Sequence, residues 1–126
     1  MTKVHPLYDQ LREKANNMPY FHCVMFKPLP GTTELQIGRM IEDFNALYTA
    51  CGGKEAGIIS ACAVSNFDTR KGFVVLEVAV FQDVEAFIAW HAHPAHTDFA
   101  QRMSALMDVW VIGDANLEEG IPIRLV

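Results

Sequence analysis

Three of the chain's five histidines fall in one segment, Trp90-His91-Ala92-His93-Pro94-Ala95-His96-Thr97-Asp98-Phe99. Imidazole is the commonest zinc and copper ligand, so a metal site has to be considered first. The spacing argues against it. His91 closes one helix, Pro94 forces a break and His96 opens the next, so the three rings need not converge. No acidic or thiol ligand stands nearby at a familiar spacing, and no metal is expected.

Acid–base chemistry suits His96 better. With Pro94 at the first helical position, His96 lies in the first turn, on the inward side shared by Phe99 and Met103. Removal from water and the positive end of the helix dipole both favour the neutral imidazole, and Asp98 opposes them if its carboxylate comes close. A neutral histidine over an apolar cavity can act as a general base. A hydrogen-bonded histidine tying the helix start to a loop fits the same pattern, and both readings stand. His22 shares a strand side with Val24 and Phe26; it either belongs to the core or faces a cavity, where it could pair with His96 or hold a polar ligand group. Glu77 is the one charge inside an apolar run, so it points to solvent or lines a polar pocket. Tyr48 and Trp90 read as packing residues.

Positioning these groups requires a sheet and helices. Tyr20 to Lys27 reads as a first strand, closed by Pro28-Leu29-Pro30-Gly31. Thr32-Thr33 supply an N-cap, and Leu35, Ile37, Met40, Ile41, Phe44, Leu47, Tyr48 and Cys51 follow at helical spacing until Gly52-Gly53 end the helix. Ile58 to Phe67 and Gly72 to Phe81 read as an antiparallel hairpin joined by Asp68-Thr69-Arg70-Lys71. Asp83 opens a short helix carrying Val84, Phe87, Ile88 and His91. Pro94 interrupts it, and a second stretch puts Phe99, Met103, Leu106 and Met107 on one face. Val109 to Ile112 reads as a fourth strand. The order β-α-β-β-α-β is the split βαβ, or ferredoxin-like, unit: an α+β protomer with a four-stranded antiparallel sheet. Residues 1–19 form a lead-in with one short helix around Leu7 and Leu11, residues 20–114 the domain, and residues 115–126 a tail or extra edge strand.

The third strand does not alternate. Phe73, Val75, Ala79 and Phe81 lie on one side and Val74, Leu76, Val78 and Val80 on the other, and the first strand is likewise apolar on both sides. Helices cover one face only. The other would expose several side chains worth about 1.5–3 kcal/mol each when buried, a larger patch than soluble monomers carry. A second copy, sheet against sheet, is the simplest cover; the competing one is the lead-in and tail folded back.

The chain has 126 residues, 51% of them apolar, which suits one domain with its own core and excludes disorder. A net charge of −5 without a basic cluster excludes a nucleic-acid binder. No run reaches the roughly 20 apolar residues of a membrane span, and Met1-Thr2-Lys3-Val4-His5-Pro6 holds no signal-peptide stretch. Cys23, Cys51 and Cys62 are odd in number and form no Cys-x-x-Cys pair, so free thiols in a reducing cytoplasm are expected.

Four segments together suggest a family: His22-Cys23-Val24-Met25-Phe26-Lys27, the Pro30-Gly31 turn, Phe73 through Phe87, and His93-Pro94-Ala95-His96 with Phe99. They resemble the stress-responsive α/β-barrel domain (Dabb) family over residues 20–114. The resemblance implies a ferredoxin-like protomer that dimerises through its sheets into a barrel, with a cavity between sheet and helices. In a polyketide-cyclase branch of that family the second histidine of the His-Pro-x-His box is the base, which falls on His96. The branch's helper tyrosine falls on Trp90, which has no phenolic hydroxyl, and its first-strand histidine is retained as His22. The expected function is a homodimer binding a small hydrophobic or aromatic molecule beside His22, Trp90 and His93, without a cofactor, carrying out a lyase or cyclase step with His96 as base. The alternatives are a non-catalytic stress or interaction protein with structural histidines, and a cofactor-independent monooxygenase of the dimeric barrel superfamily.

Overall fold

A computed structural model of the chain describes residues 5–117. The lead-in forms α1 (Pro6–Lys14), and β1 (Tyr20–Pro28) follows it. The firmest sequence signal produces α2 (Glu34–Ala50). There the Thr33 hydroxyl accepts from the Gln36 N–H at 3.1 Å while the Gln36 side chain accepts from the Thr33 N–H at 2.9 Å. This reciprocal cap satisfies two of the donors that a helix start leaves unpaired. Met40, Phe44 and Leu47 are its buried residues, a single stripe at spacings of four and three. Gly52 (φ 101°) and Gly53 (φ 57°) then adopt the left-handed backbone that ends the helix.

After one 3-10 turn come β2 (Ile58–Ser65), β3 (Val75–Phe81), α3 (Val84–Ala92), α4 (Pro94–Ser104) and β4 (Met107–Asn116). The sheet order is β2-β3-β1-β4, all antiparallel, so β1 and β3 are central. The expected β-α-β-β-α-β order holds, with the second helical layer split in two at His93-Pro94. Both hairpin strands are shorter than their apolar runs suggest, and Phe67 stands fully exposed in the connection. The fourth strand is longer than Val109 to Ile112, and Met107 opens it rather than closing a helix. The possible edge strand in the tail lies outside the described residues.

Burial alternates strictly along the two central strands. Tyr20, His22, Val24 and Phe26 of β1 and Val75, Glu77, Ala79 and Phe81 of β3 are buried. Except for His22 and Glu77, these join residues of α2, α3 and α4 in one core. The alternate residues, Phe21, Cys23 and Met25 with Leu76, Val78 and Val80, are only half-buried on the opposite face. The lead-in does not cover that face: α1 docks on α3, where Arg12 holds the Glu85 carboxylate at 2.7 and 3.2 Å. The β2 edge is protected by Asn45 of α2, whose Oδ1 accepts from the Ala63 N–H at 2.8 Å.

Candidate functional site

Strand register assembles the site. His22 sits opposite Ala79 on β3 and Asp114 on β4, and antiparallel partners share a face. The His22 Nδ1 therefore reaches the Asp114 Oδ1 at 2.5 Å, with both side chains largely shielded from solvent. A carboxylate only accepts, so in this contact Nδ1 donates to Oδ1, which in a neutral ring leaves Nε2 as the acceptor. Glu77 is paired with Val24, two positions along β1 from His22, and so occupies the same face.

α3 and α4 arch over this face without filling it. Between them and the sheet lies a cavity of about 150 Å³, with His22, Glu77, Trp90, His91 and His96 among its walls and floor. Val24, Phe26, Phe99, Met103, Trp110 and Ile112 make the rest largely apolar. Trp110 (47% exposed) and Ile112 (55% exposed) stand where edge strand β4 meets solvent.

Pro94 is the first residue of α4 and His96 lies in its first turn, as the sequence implies. The His96 ring packs 4.2 Å from Trp90 and 5.0 Å from His91, centroid to centroid. Two of the three clustered rings thus converge, because the break at His93 folds α4 back across the end of α3. Asp98 does not oppose a neutral His96, since it pairs with Arg102 at 3.0 Å. His93 is absent from the cavity wall: its Nδ1 accepts from the Ala95 N–H at 3.1 Å and caps α4. His91 shares a 2.7 Å hydrogen bond with the Tyr8 hydroxyl, which ties the lead-in helix to the cavity wall.

Burial sets the protonation states. Desolvation, helped by the positive charge that His91 and His22 carry when protonated, lowers His96 to about 4, so it is neutral at physiological pH. His91 is lowered by desolvation and by the charges of His22 and His5, against the Asp114 carboxylate. Glu77, 4% exposed, is pushed up by desolvation to about 8 and carries its proton at neutral pH. The cavity therefore pairs an un-ionised acid with histidine acceptors. Asp114 is what sequence reasoning missed; for Glu77 the structure selects the pocket over solvent. The signal for Asp114 was its alternation with Trp110 and Ile112, legible only once β4 is extended past Ile112.

The fold and this sheet-to-helix cavity define an α+β ferredoxin-like protein. The model of the Stress Responsive A/B Barrel Domain matches residues 21–117, and the chain belongs to that family (Dabb). Among curated protein sequences there is no significant match. Solved structures share the fold. A hydroxynitrile lyase from Passiflora edulis superposes with a TM-score of 0.71 at 17% identity, over 85% of this chain and all of that one. A dimeric ferredoxin-like protein of unknown function from Thermobifida fusca gives 0.69 at 17% identity, over 81% of this chain and 93% of that one. A Dabb family protein from Mesorhizobium loti gives 0.67 at 17% identity, over 80% and 98%. No helix among the described residues is long and apolar enough to cross a membrane.

Opposed titrations give a stability signature. Between its ordinary pKa of 4.5 and about 8, Glu77 keeps a proton in the folded chain that the unfolded chain has released. Stability therefore falls as pH rises through that window, by ~1.4 kcal/mol per unit. His96 acts oppositely: the unfolded chain takes up a proton near 6.5 and the folded chain only near 4, so stability is lost as pH falls between them. The two slopes oppose each other below 6.5, and from there to 8 Glu77 acts alone. Urea midpoints of the wild type should decline between pH 6.5 and 8, and Glu77→Gln should flatten that decline. A wild-type midpoint constant across this window would contradict a protonated Glu77.

Proposed function

We propose that this chain pairs with a second copy through its open sheet face and uses the cavity of each protomer for cofactor-free proton transfer on a small apolar or aromatic carbonyl compound, in a lyase or cyclase reaction. The single observation that carries this reading is the His22–Asp114 hydrogen bond beside a buried, un-ionised Glu77. An effective base at neutral pH has a conjugate acid near 7, and His96, at about 4, is too weak to fill that role well. We assign the base to His22 on its geometry, at the cavity and held by Asp114. Asp114 fixes its tautomer and stabilises the imidazolium that forms, while His96 is a neutral hydrogen-bonding partner for the ligand.

In the forward direction His22 Nε2 removes a C–H proton adjacent to a carbonyl. The carbanion attacks a second carbonyl carbon, a C–C bond forms, and the new alkoxide takes the Glu77 proton. His22 then loses its proton to solvent and Glu77 regains one. Cleavage runs the same steps backwards. That a hydroxynitrile lyase shares the fold supports lyase chemistry as one this scaffold accommodates.

The open face supports the pairing. Leu76, Val78 and Val80 sit beside Phe21, Cys23 and Met25 with no helix of the described residues over them, and a contiguous apolar face of this kind fits an interface. Sedimentation at micromolar concentration should give two chains for the wild type and one for Val78→Glu. Single chains in the wild type would contradict the pairing.

Catalysis is tested by the exchange of phenylacetaldehyde α-hydrogens in deuterated water, followed by proton NMR. The wild type should accelerate exchange, His22→Ala should abolish the acceleration, and Asp114→Asn should reduce it by roughly 10²-fold or more through loss of the correct tautomer. Loss in His96→Gln with retention in His22→Ala would return the role of base to His96. No acceleration by the wild type would favour a non-catalytic binding protein.

A further inference from the structure

The cavity's polar groups are matched to an uncharged occupant. No lysine or arginine among the described residues lines it. The Asp114 carboxylate stands behind His22, where it would repel an anion. A buried carboxylate without a cation is strongly disfavoured, as Glu77 itself shows by holding its proton. One donor facing the cavity nevertheless lacks an acceptor: the protonated Glu77 carboxyl makes no side-chain hydrogen bond among the described residues. A buried donor left unpaired is costly unless something completes it. An oxygen acceptor on the ligand would do so, while His22 Nε2 and His96 accept from its hydroxyl or acidic C–H. A volume near 150 Å³ holds one six-membered ring, and the walls around it are apolar.

We propose that this cavity selects uncharged single-ring carbonyl or hydroxyl compounds over their carboxylate isosteres, with Glu77 as the specificity-determining residue. The proposal rests on the same cavity as the proposed function but concerns binding alone. Besides Glu77, the titratable groups around the cavity are His22 from β1, His91 from α3, His96 from α4 and, behind His22, Asp114 from β4; Ala63, its neighbour on β2, brings none.

Trp90 and Trp110 are the chain's two tryptophans and both line the cavity, so intrinsic fluorescence reports occupancy. The probes are benzamide and benzoate, nearly identical in shape and different in charge. At pH 7 benzamide should bind at least 10-fold more tightly than benzoate. Raising the pH to 9.5 should weaken benzamide binding to the wild type, as Glu77 ionises, and leave Glu77→Gln unchanged. Benzoate binding as tightly as benzamide would overturn the selection while leaving the cavity intact as a binding site. An equal loss of benzamide in both proteins at pH 9.5 would remove Glu77 from the role. Fluorescence unaltered by either probe would overturn the selection and the ligand-binding cavity together.

Discussion

The two-residue period of a β-strand governs this molecule. Because side chains alternate, β1 must send Tyr20, His22, Val24 and Phe26 to one face, and β3 must send Val75, Glu77, Ala79 and Phe81 to the same one. One layer of helices covers that face, so whatever polar residue the alternation delivers there is buried. His22 and Glu77 are the two so delivered, from adjacent central strands. Neither is replaced by the apolar residue that packing alone would favour. Their burial is tolerable because α3 and α4 leave a cavity above them and because each has a different escape from its charge: His22 shares a proton with Asp114, and Glu77 keeps its own.

The opposite face obeys the same period with the opposite outcome. Leu76, Val78 and Val80 belong to a sheet that needs apolar material on both sides, yet α1 through α4 all lie elsewhere. Even α1, which has length to spare, is drawn to α3 by Tyr8 and Arg12. Its contact with His91 makes the lead-in part of the cavity's outer wall, although it precedes the segment that matches the family. The division is between one face that encloses a cavity and another that no helix of the described residues covers.

Elements with a dense local signal were legible in the sequence. α2 announces itself by a capping box, an apolar stripe and two glycines, and β1 and β3 by uninterrupted apolar runs. β4 was legible only in its middle. The strand continues past Ile112 through Gly113 and Asp114 because β1 offers a free edge with which to pair. The site was legible in proportion to how local its geometry is. His96 in the first turn of its helix follows from Pro94 alone. Asp114 beside His22 does not, since it requires a register between residues far apart in the chain. For Glu77 the sequence left solvent and a polar pocket both open, because only the packed helices show what lies above that face. His93 was drawn to capping by the same proline that positions His96, a competition between a local hydrogen bond and the cavity that only the folded backbone decides.

The central claim is that the Asp114 carboxylate holds His22 with its proton on Nδ1, leaving Nε2 as the acceptor beside the cavity. Nitrogen-15 NMR of the imidazole rings reads this directly, because the protonated and lone-pair nitrogens of a neutral ring resonate far apart. The account predicts that the neutral His22 ring is a single tautomer, protonated at Nδ1, that becomes a mixture in Asp114→Asn. A His22 ring protonated at Nε2, or one averaging freely between both nitrogens in the wild type, would contradict it.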